Sequence, residues 1–195
     1  MRDEPPAPGW QAIEDAVRRH YSGVEPIHYA NMTALPGQDG LYGLNAYPVA
    51  GRWLLVTLGL TELFDKVSDD PDTSGWGIEL TLLVNGPGDA PPAWALRLLG
   101  KLAAYVDASA RPFASGHRMD PGGPITGNPG DPHTALAFTV DPQLGSIETP
   151  HGTVDFLRVV GITADELAPA KASSTDELLT RILDHNPDLA TDTAR

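Results

Sequence analysis

The chain has 195 residues, no cysteine, 13 Lys plus Arg, 26 Asp plus Glu and a formal net charge of −13. The missing cysteines exclude disulfides, thiolate nucleophiles and cysteine-based zinc sites. The negative balance argues against nucleic acid, whose phosphates need Lys and Arg, and favours encounter with a basic protein partner.

With 20 Gly and 19 Pro, long loops are expected on one domain large enough to bury a core. Met1 to Pro6 lacks the apolar region of a secretory signal, and no apolar run approaches the roughly 18 residues of a membrane span. A cytoplasmic protein without membrane contact is the expectation.

Residues 1–9 read as a flexible Pro-rich arm, 10–185 as the domain and 186–195 as a tail frayed from 188 onward. Trp10, Ile13, Val17 and Tyr21 recur at helical spacing, and Ser22-Gly23 ends that helix. Pro26 to Tyr29 begins an extended segment, and Pro36 to Gly40 is turn material. Leu41 to Tyr47 and Trp53 to Leu58 read as a hairpin. The second of these is apolar on both faces, as a central strand covered on both sides should be.

Glu62, Asp65, Asp69, Asp70 and Asp72 surround the single Lys66. Their spacing does not fit a calcium loop and reads as a solvated acidic loop. Ser74-Gly75-Trp76-Gly77 then leads into a strand that places Ile78, Leu80, Leu82 and Val84 on one face and Glu79, Thr81 and Leu83 on the other. This strand is expected to organise the sheet, beside Trp53–Leu58. Gly75 and Gly77 permit a bulge or close backbone approach.

Pro91-Pro92 suits a helix start. Trp94, Leu98, Leu99, Leu102 and Val106 predict an amphipathic helix over 92–109, with Arg97 and Lys101 outward. Residues 111–134 form the longest irregular stretch, of the length that is functional or disordered in compact domains. Strands follow at 134–140, 146–149 and 153–161. Thr163-x-x-Glu166 and Ser174-x-x-Glu177 have the capping-box form and start two closing helices. The fold class is therefore α+β, a mixed and largely antiparallel sheet flanked by helices.

No dinucleotide fingerprint, P-loop, zincin motif or nucleophile elbow is present. His117, Asp120, Asp131 and His133 share one loop and offer a metal-assisted hydrolase as the alternative reading, although their spacing matches no metal motif. A small-ligand domain is the third reading and needs a pocket. No cofactor is called for.

Several segments together resemble the suppressor-of-fused domain: Pro26-Ile27-His28-Tyr29, Trp53 to Leu63, Ser74 to Thr81, Pro91 to Trp94 and Val159 to Thr163, in that order. Ser74-Gly75-Trp76-Gly77-Ile78-Glu79-Leu80-Thr81 is the most specific piece, and the resemblance runs from about Trp10 to Leu183. It implies a non-enzymatic protein-binding domain. The animal member sequesters a transcription factor through a peptide held between two domains, and this chain resembles only the N-terminal one. Stand-alone bacterial members resemble immunity proteins of toxin systems, which implies a toxin as partner.

The family's binding region corresponds here to Tyr105, Phe113, Ser115, Gly116 and His117. His117 replaces an acidic residue, so the peptide preference should differ. The acidic loop at Asp65, Asp69, Asp70 and Asp72 is a second candidate contact. Trp76, Gly77 and Glu79 are assigned structural roles. Glu79 is expected to fix backbone near Gly75–Gly77, so that Glu79→Gln costs stability.

Overall fold

The computed structural model describes residues 7–30, 41–86, 88–170 and 174–193. In chain order the elements are α1 (Pro8–His20), β1 (Ile27–Ala30), β2 (Gly43–Val49), β3 (Arg52–Leu58), β4 (Thr73–Asn85), α2 (Ala93–Ser109), β5 (Arg118–Met119), β6 (His133–Val140), β7 (Ser146–Thr149), β8 (Gly152–Thr163), α3 (Ala164–Ala170) and α4 (Thr175–Leu183). One sheet runs β1-β2-β3-β4-β8-β6-β5, with β7 paired to the first part of β8. Among the strand pairs of the described residues only β4–β8 is parallel; the others are antiparallel. No helix among the described residues is long and apolar enough to cross a membrane.

The period of two along the strands divides the core in two. Leu44, Trp53, Leu55, Leu80, Leu82, Phe138 and Val159 face α2. Tyr47, Leu54, Val56, Leu83 and Phe156 face α1. Further along the second face, Ala137, Val160 and Ile162 meet Leu178, Leu179 and Ile182 of α4. Helices on both faces explain why β3 is apolar without alternation and why both faces of β4 and β8 are largely buried. The first capping box forms reciprocally, and at the second the Ser174 side chain caps α4. Thr163 N–H donates to Glu166 Oε2 at 2.9 Å while Glu166 N–H donates to Thr163 Oγ1 at 3.2 Å, and Glu177 N–H donates to Ser174 Oγ at 3.1 Å.

Two details differ from the sequence reading, and one lies beyond the described residues. The first helix begins at Pro8, inside the expected arm, because a proline tolerates the first helical turn. Pro36–Gly40 lies outside the described residues, as do 1–6 of the arm. The tail expected to fray from 188 is instead bound into the sheet. After Thr81↔Arg158 the parallel pairing of β4 and β8 ends, and Thr191 occupies the fork. Its N–H donates to Leu83 O at 2.8 Å, its carbonyl accepts from Asn85 N–H at 3.2 Å, and its hydroxyl accepts from Gly161 N–H at 3.0 Å. Gly161 has to be small here, since a Cβ would lie 2.7 Å from Thr191 Cγ2. Leu189 is buried beside α4.

Two buried charge sites lie on the second face, the Arg158–Asp141 pair and Glu79. Arg158 Nη2 donates to Asp141 Oδ2 at 2.7 Å and to Gln143 Oε1 at 3.1 Å, and Nη1 donates to Asp188 O at 2.8 Å. Asp141 also accepts from Thr81 Oγ1 at 2.6 Å and from the N–H groups of Gln143 and Leu144. Burial pushes the Asp141 carboxyl up, but Arg158 and these donors outweigh it and hold the carboxyl below its ordinary range.

The second buried charge is Glu79. Its Oε1 accepts from Gly59 N–H at 2.9 Å, Thr61 N–H at 3.0 Å and Thr61 Oγ1 at 2.7 Å; its Oε2 accepts from Thr57 Oγ1 at 2.6 Å. The carboxylate fixes the 59–61 turn after β3, and its hydrogen bonds do not go to Gly75–Gly77 as the sequence suggested. Burial without a counter-ion pushes Glu79 up to about 7, against the lowering effect of the four donors. The neutral acid also fits: Oε2–H then donates to Thr57 Oγ1, whose hydroxyl turns to Leu80 O at 3.4 Å.

Two stability predictions follow from these networks. Asp141→Ala strands Arg158 and should cost about 3–5 kcal/mol by urea titration, whereas Asp141→Leu with Arg158→Met should cost clearly less. Glu79 binds more protons folded than unfolded between its ordinary value of 4.5 and about 7. Its contribution is therefore complete below 4.5 and lost as pH rises through 7. The carboxylates held low, Glu62, Asp70, Asp131 and Asp141, act in the opposite sense and at lower pH. Stability should fall by roughly 3 kcal/mol from pH 4.5 to about 8. Glu79→Gln, which keeps the Oε1 acceptor, should remove that slope at a cost of about 1–2 kcal/mol at low pH. An unchanged slope in Glu79→Gln refutes the assignment.

Candidate partner-binding site

The helix α2 lies on the first sheet face and exposes one stripe. Trp94 begins that stripe and Tyr105 ends it. Tyr105 is 42% exposed. Its ring stacks on Phe113, with centroids 5.5 Å apart and planes 23° apart, and Phe113 stacks on Phe138 at 4.2 Å and 8°. The three rings form a ladder from solvent into the core, because Phe113 and Phe138 are buried while Tyr105 is not. The structure thus separates the two aromatic candidates: Phe113 is packing, and Tyr105 offers a ring face and a hydroxyl.

Ala110 closes α2 in the left-handed conformation, and the chain turns back to the sheet. Gly116 N–H donates to Phe138 O at 2.9 Å, and Phe138 N–H donates to His117 O at 3.0 Å. Residues 116–119 thereby pair along β6, with β5 as their continuation. Ser115 and His117 are exposed beside this edge. Ala114 N–H donates to His117 Nδ1 at 3.2 Å, which steadies the turn. Tyr105, Ser115, Gly116 and His117 therefore sit around one end of α2 and the adjoining sheet edge, and Phe113 is the floor beneath them.

Trp76 orients the same helix. Between Thr73↔Thr153 and Ile78↔Asp155, β4 carries more residues than β8, and Ser74–Gly77 bulges out. Gly75 and Gly77 have φ of 53° and 73°, values that favour glycine. A Cβ on Gly75 would also lie 2.8 Å from Leu60 O. The bulge lets Trp76 N–H donate to Leu60 O at 2.9 Å and Trp76 Nε1–H donate to Asp107 Oδ1 at 2.9 Å. The indole therefore ties the turn after β3 to α2, two residues beyond Tyr105.

The acidic loop is ordered by Glu62. Its carboxylate accepts from Val67 N–H at 2.7 Å, from Ser68 N–H and from Gly75 N–H at 3.2 Å, and it pairs with Lys66 Nζ at 3.0 Å. Burial pushes Glu62 up, but these four groups outweigh it and hold the carboxyl down to about 2. Lys66 Nζ also donates to Thr73 O at 2.6 Å and His151 O at 2.9 Å. Asp65, Asp69, Asp70 and Asp72 are left exposed around this clamp. Asp72 O accepts from Thr153 N–H at 2.8 Å, which docks the loop on β8. No hydrogen bond, ion pair or ring contact links these four acids to the Tyr105 patch among the described residues.

The residues of the hydrolase alternative do not converge. Asp131 Oδ1 lies 2.8 Å from His133 Nδ1, while His117 is bound to its own turn and Asp120 accepts from Gly122 N–H at 2.8 Å. No three His, Asp or Glu side chains among the described residues gather where a metal could be held. Sequence reasoning missed the roles of Glu62, Asp141 and Arg158. A signal existed for the last: one arginine inside the apolar run Phe156 to Val160 requires a buried acidic partner.

The family model described as Suppressor of fused protein (SUFU) matches residues 23–195. The Suppressor of fused homologs of Homo sapiens and Mus musculus are each 30% identical over 174 residues, covering 86% of this chain and 34% of theirs. The chain thus spans about a third of the length of these curated relatives.

Among solved structures, a chain of the Sufu–Fu complex superposes with a TM-score of 0.85 at 26% identity, covering 98% of this chain and 92% of that one. Drosophila Suppressor of Fused gives 0.83 at 26% identity, covering 97% and 51%. A SUFU homolog from Neisseria gonorrhoeae gives 0.64 at 16% identity, covering 96% and 94%, a likeness in fold. The matched family model, carried by the same eight strands and four helices described above, shows that the chain belongs to the suppressor of fused family.

Proposed function

We propose that the chain is a non-enzymatic protein-binding module whose partner docks at Tyr105 and the Ser115–His117 turn. The observation that carries this reading is the exposed Tyr105 ring, held in place by a ladder rooted in the core, at the end of a sheet edge. Tyrosine on a rigid base supplies large contact area at low entropic cost, which is why it is common among binding hot spots. The superposition with a chain from the Sufu–Fu complex supports a protein as the ligand. A non-enzymatic role is supported by the use of the buried ionisable groups: Glu79, Asp141 and Arg158 are all consumed in holding backbone and one another.

The finer form of the proposal is an immunity-type protein of the cytoplasm that binds and neutralises a basic toxin domain. The net charge of −13 supports it, because it accelerates encounter with a cationic partner. The ordered acidic loop at Asp65, Asp69, Asp70 and Asp72 is the second contact in this scheme.

The test separates binding from packing. Tyr105→Ala should reduce recovery of the partner in a host pull-down about tenfold while leaving the melting temperature unchanged. Phe113→Ala should instead cost about 3–5 kcal/mol of stability. Recovery of no protein above a tag-only control, or equal recovery with Tyr105→Ala, refutes the site.

A further inference from the structure

The exposed stripe of α2 forms one wall of a groove. Trp94, Arg97, Leu98 and Lys101 face Met119 and Pro121 across a volume of about 340 Å³. An adjoining hollow of about 400 Å³ shares Trp94 and Arg97 and reaches Asp131. Leu98 is buried at the groove's base, and Arg97 and Lys101 stand exposed at its rim.

The cations here contrast with the ion-paired ones. Arg18, Arg52, Lys66 and Arg158 each sit against a carboxylate. Arg97 and Lys101 have no ion pair or hydrogen bond among the described residues. They are four residues apart on one helix, so two like charges are neighbours and disfavour each other. Asp131 lines the adjoining hollow with Trp94 and Arg97. Its carboxylate is already engaged by His133 N–H at 3.0 Å, the His133 ring at 2.8 Å and Thr126 N–H at 3.3 Å. A chain of −13 therefore keeps one local cationic strip uncompensated, over an apolar base. Lys101 is in turn four residues before Tyr105, so the strip leads along the same helix face to the proposed docking ring.

We propose that this groove takes an extended acidic segment of the protein partner, with carboxylates against Arg97 and Lys101 and an apolar side chain between Leu98 and Met119. The proposal rests on the protein-binding reading and specifies the chemistry of what binds. It assigns opposite local preferences to the two surfaces: the acidic loop steers a cationic body, and the groove selects a carboxylate-bearing strand. A carboxylate placed between the two cations offsets their mutual repulsion, and the apolar base excludes water from that pair.

The test uses the intact chain and a random-peptide display library. Selection should enrich Asp or Glu next to an aromatic or aliphatic residue. A selected peptide, labelled and titrated by fluorescence anisotropy, should bind Arg97→Glu/Lys101→Glu at least about tenfold more weakly. Its affinity should fall with added salt, and its Lys-for-Asp counterpart should recover binding on the charge-reversed chain. Arg97→Gln/Lys101→Gln repeats the measurement without added negative charge, and circular dichroism checks that both variants are folded.

Enriched peptides without acids, or equal affinity for the charge-reversed chain, overturn the proposal. Failure to enrich any peptide overturns it as well, and so does binding of inorganic phosphate or a mixed-sequence oligonucleotide at this strip in place of peptide. If selected peptides depend on Tyr105 but not on Arg97 and Lys101, the groove assignment fails while the protein-binding reading stands.

Discussion

The carboxylate of Glu79 determines how much of this domain can form. It gathers the backbone of Gly59 and Thr61 and the hydroxyls of Thr57 and Thr61 around one buried side chain. The turn it fixes presents Leu60 O to Trp76, and Trp76 reaches Asp107 on α2. The same turn leads into Glu62, whose carboxylate shapes the acidic loop. Both candidate contact surfaces thus depend on one group: Tyr105 through the placement of α2, and Asp65 to Asp72 through Glu62. Burying a carboxylate without a cation is unfavourable. Here the gain is geometric, since a turn of this shape has backbone donors that nothing else in the fold satisfies.

Arg158 and Asp141 solve a different problem on the same sheet face as Glu79. The core there is divided between a cluster under α1 and a cluster under α4. The ion pair marks the division, and its remaining donors and acceptors are met by Thr81, Gln143, Leu144 and the carbonyl of Asp188. Such a network adds little net stability compared with apolar packing, but it admits few alternative arrangements. It fixes where the turn after β6 and the C-terminal segment must lie.

Much of the fold was legible in the sequence because its signals are local. The alternation in Ile78 to Val84, the two-sided apolar run at Trp53–Leu58, the helical spacing from Trp94 to Val106 and the two capping boxes each follow from neighbours within a few residues. The bulge at Ser74–Gly77 was signalled by its glycines. What escaped was set by distant partners. Glu79 could be assigned a structural role, but its partners lie some twenty residues upstream and not in the adjacent glycines. Tyr105 and Phe113 carry similar side chains, and only the stack on Phe138 distinguishes ledge from floor. The tail looked free because Asn186-Pro187 ends the helix, and nothing in its own sequence shows that Thr191 fits the fork between β4 and β8.

That fork has a consequence for how the chain is made. The gap it fills lies between the two longest strands, at the centre of the sheet, and its filler is more than a hundred residues away from β4 along the chain. Residues 81, 141, 158 and 188 meet across separations of 17 to 77 residues. During synthesis, β2, β3 and β4 can pair as they emerge, but the centre of the sheet stays open until Thr191 has been added. The nascent domain must therefore keep its unfilled seam away from other chains while the last fifth is made, and its closure is a late, long-range step of the kind that slows folding.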